Sequence, residues 1–299
     1  MRTLFLFSLL VNSLYLFSQN IYFEPYYSKS FAVEKSDFTF VSSNTTFYYD
    51  DSVNSDYHTV TYHKSLGAGN NYGLLIGYKF PKGIISTEID FRYFSNNVLT
   101  FNSQDYYDFP EEPNYHIEYN DTYNLRSTSF SITPSLKVEV YYKRWGLFLK
   151  SGLLFAKCSI DYEVETSIFN THPSYYPFES YSEIIEYKPK WELGIQGAIG
   201  VEYQLDSWIV LNVGIQYNAF GHRPESATMT EYKYRGEDKL NSLTISEKEF
   251  IFSDSYMSAD NASEDKPTVM ERLTYTYSSM AIRFGVQIII PNKKVKEGE

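Results

Sequence analysis

The chain has 299 residues, enough for one large domain or two ordinary ones, and its mean hydropathy of −0.37 sits beside an aromatic content of 18% with 30 Tyr and 22 Phe. A net charge of −11 argues against a nucleic-acid partner, whose phosphates need a basic surface. A single cysteine, Cys158, excludes an internal disulfide framework.

The first 20 residues read "MRTLFLFSLLVNSLYLFSQN": Arg2, an apolar run, then small Ser18 before polar Gln19. That is the pattern of a secretory leader, 1–18, and the run is too short for a membrane span and broken by Asn12. Beyond it no stretch of about 18 apolar residues occurs, so a membrane-embedded mature chain would have to be a closed β-barrel.

Segments of alternating apolar and small or polar residues then follow in order: 22–33, 72–80, 84–94, 129–142, 145–156, 191–205, 209–219 and 279–290. "WELGIQGAIGVEYQL" (191–205) is the clearest. Trp191, Leu193, Ile195, Ile199 and Val201 share one face, and Glu192, Gln196, Glu202 and Gln204 the other. Eight such segments predict eight strands. Tight turns lie at "PKG" (81–83), "KRWG" (143–146) and "DS" (206–207), and long polar segments at 34–71, 95–127, 161–190 and 221–277. Helical periodicity is almost absent; "GEDKLNSLTISEKEFIF" in the last segment is the one place for a short helix or hairpin extension.

With the apolar faces outward, the inward face carries Glu24, Lys79, Glu88, Asp90, Arg92, Lys137, Glu139, Lys150, Glu192, Glu202 and Arg283. Six acids against five bases can pair, which buried charges require. An eight-stranded barrel is just wide enough to be filled by side chains, so a plugged interior is expected rather than a pore. Trp145, Trp191 and Trp208 fall at strand ends, where an indole suits a lipid–water boundary and would form an interface girdle.

The leader, the eight alternating segments, the alternation of tight turns with long loops and the apolar last strand "MAIRFGVQIII" together resemble the outer-membrane β-barrel proteins, most closely the eight-stranded barrels of outer-membrane protein A and X type. The resemblance implies an all-β, antiparallel transmembrane barrel over 19–290, with short periplasmic turns, long extracellular loops and a periplasmic tail, 291–299. It also implies a location in the outer membrane of a Gram-negative cell, contact with lipid and lipopolysaccharide, and handling by periplasmic chaperones and the barrel assembly machinery. Such barrels often end on an aromatic residue, whereas this strand ends at Ile290 before "PNKKVKEGE".

The four long segments hold 28 of the 37 Asp and Glu but 12 of the 26 Lys and Arg, and they are rich in Tyr. An acidic, Tyr-rich surface of this kind can bind divalent cations, a cationic partner or another protein, Tyr supplying rigid contact area, or can simply keep the outside solvated. All five histidines, His58, His63, His116, His172 and His222, lie there without metal-ligand spacing, and no cofactor is expected. The best local arrangement for a hydrolase is His222 with Glu225 and Ser226, without a supporting nucleophile motif. The expected function is a non-enzymatic barrel for surface contact, envelope structure or service in a larger outer-membrane complex. The alternatives are a narrow channel for small or hydrophobic solutes and a lipid hydrolase.

Overall fold

A side-chain period of two forces extended chain, and the computed structural model is almost entirely strand. It describes residues 21–33, 36–47, 53–81, 84–108, 116–171, 177–254 and 263–290. The expected leader (1–18) and tail (291–299) lie outside the described residues. In chain order come β1 (Ile21–Ala32), β2 (Ser36–Phe47), β3 (Val53–Lys64), β4 (Gly69–Lys79), β5 (Ile85–Asn96) and β6 (Leu99–Asp108). The long strands β7 (His116–Tyr142), β8 (Trp145–Asn170) and β9 (Phe178–Gln204) follow, then β10 (Ile209–Ala219), β11 (Gly221–His222), β12 (Ser226–Tyr234) and β13 (Glu237–Asp238). A four-residue helix α1 (Ile245–Lys248), β14 (Glu249–Ser253), β15 (Thr268–Glu271), β16 (Tyr275–Thr276) and β17 (Ser279–Ile289) complete the chain. The helix lies in the stretch expected to hold one, and Glu247 closes its first turn by accepting from the Thr244 backbone N–H at 2.7 Å.

Eight strands close a ring in the order β1–β4–β5–β7–β8–β9–β10–β17, with β17 returning to β1. Every pair in the ring is antiparallel. These are the eight alternating segments. The hairpin β2–β3 pairs only with itself and lies beside β6, so it adds no strand to the ring.

The long polar segments are less loop-like than their composition predicts. β7, β8 and β9 have 27, 26 and 27 residues, roughly 90 Å of extended chain for the longest, and they run well past the ring into 95–127 and 161–190. β6 pairs with the extension of β7, and β12 with that of β9, followed by β14 and β15. The result is a tall sheet standing on one side of the ring's open end. Its strands form because Tyr, Ile and Val alternate with polar residues, as in Tyr119, Tyr123 and Leu125 against Glu118, Asn120 and Asn124.

The polarity of the ring is inverted relative to a soluble sheet. Val140, Leu147, Leu149, Leu193 and Ile199 on the outside are each more than half exposed. Inside, Glu24, Glu88, Asp90, Arg92, Lys137, Glu139, Lys150, Glu202 and Arg283 each expose no more than 4%. Towards the open end the interior turns apolar, with Leu66, Phe94, Phe101, Leu125, Leu154 and Tyr277 packed together. Phe220 stacks on Tyr277 at 5.0 Å.

Candidate functional site

The inward positions of β5 and β7 set the charged centre. Glu88, Asp90 and Arg92 alternate inward on β5, and Lys137, Glu139 and Tyr141 on β7. Lys150 of β8 lies 2.8 Å from Glu88 and 3.6 Å from Asp90. Lys137 lies 2.8 Å from Glu139, 2.5 Å from Glu202 and 4.0 Å from Glu88. Arg283 pairs with Glu24 and, at 3.4 Å, with Asp90. Each carboxylate thus faces a cation, the condition under which buried charge is tolerated.

Arg92 is held differently. It donates to Asn218 at 2.7 Å and Ser131 at 3.1 Å, neutral partners one layer nearer the open end. Lys79 lies at the turn end, one-quarter exposed, and pairs with Glu139. Glu192 stands apart from the central network: it sits near the open end of the ring, 3.3 Å from His222 Nδ1, and accepts the Arg223 backbone N–H at 3.0 Å. The other expected interior charges come together.

Three tyrosines join the network that residue-by-residue alternation overlooked. Tyr22 donates to Glu88 at 2.5 Å, Tyr26 to Asp90 at 2.7 Å, and Tyr141 to Glu202. The signal was available: Tyr22 and Tyr26 share the parity of Glu24 on β1, and they lie opposite Gly77 and Gly73 on β4. A Cβ at Gly77 would stand 2.1 Å from the Tyr22 ring, and one at Gly73 2.2 Å from the Tyr26 ring. The two glycines let the rings lie flat across β4 and reach carboxylates on β5.

Among the described residues the interior is closely filled. Two interior cavities, one among the charges and one among Asn71, Arg92, Phe94 and Tyr277, measure about 10 Å³ each, at or below the space for one water. A concavity of about 970 Å³ is a dent in the outer wall beside Ile76, Ile89, Leu136, Leu153 and Ile195.

The tryptophans lie on the outside at both ends of the ring. Trp145 packs on Tyr203 at 4.7 Å, and Trp208 donates to Asp206 at 3.0 Å; both are at the turn end. Trp191 sits at the other end, opposite Lys157.

The suggested hydrolase arrangement is not assembled. His222 is fully buried against Glu192, and Glu225 is engaged with Lys190 at 2.7 Å. Burial holds the His222 imidazole below the usual histidine range. Among the described residues no group of three His, Cys, Asp or Glu side chains converges on a metal position. Cys158 is a buried free thiol facing the ring interior. The side chains of His58 and His63, and His172 altogether, lie outside the described residues.

In the tall sheet, Tyr234 and Arg235 hydrogen-bond to Glu179 and hold its carboxyl below the usual range, Tyr234 contributing most. Burial alone pushes Glu183 above it. Tyr187 stacks on Phe252 at 5.5 Å and meets Tyr275 edge-on at 5.8 Å, joining the sheet to the apolar plug. No protein-family model matches the chain and no curated protein is significantly similar to it, so its chemistry is read from its own residues.

Proposed function

We propose that the protein is an integral outer-membrane β-barrel of eight strands, non-enzymatic, with a plugged interior and a tyrosine-rich extracellular sheet that makes surface contacts, alone or as part of a larger envelope complex. The observation that carries this reading is the inverted polarity of the ring. A continuous belt of exposed Leu, Ile, Val and Phe surrounds paired charges, whereas soluble monomers rarely expose an apolar patch beyond a few hundred Å².

The tryptophans support a membrane fit. From Trp191 to Tyr203, beside Trp145, is roughly 40 Å along β9, or about 30 Å of height at a usual barrel tilt. That is close to the hydrocarbon thickness of a bilayer. Beyond Trp191 the outer face turns polar, with Glu163, Glu165 and Glu186. On this reading the tight turns face the periplasm and the tall sheet faces outward. The channel alternative needs a path that cavities of about 10 Å³ do not supply.

Fractionation of cells together with gel mobility before and after boiling tests the proposal. Recovery with outer membranes and a heat-dependent mobility shift are expected. Recovery in the soluble periplasm would overturn it.

A further inference from the structure

The inner face of the tall sheet rises from the plug, against which Tyr123 and Tyr162 pack, and carries carboxylates that the charged network of the ring does not use. Register places Asp121 and Tyr123 of β7, Tyr162 and Thr166 of β8, and Tyr181 and Glu183 of β9 on that one face. Tyr232 of β12 lies directly opposite Glu183. Tyr123 and Tyr162 stack at 6.1 Å and 12°. Asp121 accepts from Thr166 at 2.6 Å and Tyr123 at 3.1 Å.

Glu183 has no such support. Its carboxyl is half-buried, and among the described residues no cation pairs with it. Arg235, at the far end of the face, is engaged with Glu179 at 2.5 Å. An uncompensated carboxylate among tyrosine rings is complementary to a cation twice over, through its own charge and through the negative faces of the rings. Tyr rings also give contact area at little entropic cost.

The layout favours a chain-like partner over a single ion. Asp121 and Glu183 lie two strands and two residues apart, roughly 12 Å, too far to chelate one metal but suited to two cationic side chains of an extended segment. We propose that this face docks a basic segment of another protein, with a lysine or arginine seated between Glu183 and the rings of Tyr162, Tyr181 and Tyr232. The proposal rests on the reading that the tall sheet stands outside the membrane.

The test uses the full chain in detergent micelles and fluorescent hexa-arginine and hexa-lysine peptides as probes, read by anisotropy. Binding is expected to weaken with added NaCl, and by about tenfold or more in Glu183→Gln. Glu165→Gln, exposed on the opposite face, is expected to leave it unchanged. Retained heat-dependent gel mobility in each variant shows that the fold is intact and separates this test from that of the barrel itself. Absence of peptide binding, or equal loss in Glu165→Gln, would overturn the proposal by reducing it to long-range charge. Equally tight binding of free arginine would overturn it by making the occupant a small cation.

Discussion

The hydroxyl of Tyr26 reaches over β4 to donate to Asp90 on β5, 2.7 Å away, and does so because residue 73 beneath its ring is glycine. Tyr22 repeats the arrangement four residues earlier, over Gly77 to Glu88. Arg283 lies over the same Tyr26 ring at 3.7 Å, so one aromatic ring serves a carboxylate at its edge and a guanidinium at its face.

Gly73→Ala should therefore displace the Tyr26 ring and break its hydrogen bond to Asp90, at a cost of about 1–3 kcal/mol. The temperature of the gel-mobility shift should fall. In a Tyr26→Ala background the same substitution should cost much less, because the added methyl no longer meets a ring. An equal penalty in both backgrounds would show that the ring contact is not the cause.

Lys137 faces three carboxylates, Glu88, Glu139 and Glu202. Lys137→Met should leave Glu202 without a cation, and Glu88 and Glu139 with only Lys150 and Lys79, and destabilise the fold by about 3–5 kcal/mol. Adding Glu202→Gln should restore part of that loss, whereas Glu202→Gln in the otherwise native chain should be destabilising. Denaturant midpoints of refolding in detergent would check the sign of each step.

His222 gives a pH dependence of definite sign. Burial lowers its pKa, so the neutral imidazole is favoured in the folded state while the unfolded chain takes up a proton near the ordinary histidine value. Stability of the β11–β16 cap should be full above about pH 6.5 and decline as pH falls from there towards the lowered value. Glu192 and Lys190 of β9 and Tyr275 of β16 surround the ring, Glu192 opposing the shift and Lys190 adding to it. His222→Gln should flatten the difference in amide exchange of Gly221 and Thr276 between pH 7.5 and pH 5, on a scale set by ordinary histidine titration. An unchanged difference would assign the effect to the carboxylates.

The filled interior predicts electrical silence. Reconstituted into planar bilayers, the protein should show no steady conductance, since neither interior cavity exceeds about 10 Å³. A reproducible conductance would require the charged plug to rearrange and would revive the channel reading.

The ring strands were legible because Leu193, Ile195, Ile199 and Val201 alternate with residues that no lipid or core would accept together. The inward position of these charges followed from the same parity, whereas which acid meets which base, such as Lys137 with Glu202, is set by the register between strands. The tall sheet was not legible as strand. There Tyr replaces Leu on the half-buried face, as at Tyr119, Tyr162 and Tyr181, and a hydroxyl-bearing ring scores as polar although most of it packs as hydrocarbon. Tyr22 and Tyr26 were missed for the same reason, reinforced by distance: their partners are 66 and 64 residues away, across a strand whose glycines have no side chain to announce the contact. Glu192 shared the right parity but lay too far along the strand to join the central network, and meets His222 instead.

The seam between β1 and β17 sets a rule for assembly. Glu24 and Arg283, 259 residues apart, meet buried across the joint where the first and last ring strands pair. No shorter piece of the chain can make that contact, and a chain arrested before residue 279 would present two bare strand edges instead of a smaller closed cylinder. Closure therefore needs both ends of the ring sequence at once, and an incomplete product remains recognisable as incomplete by its unpaired backbone.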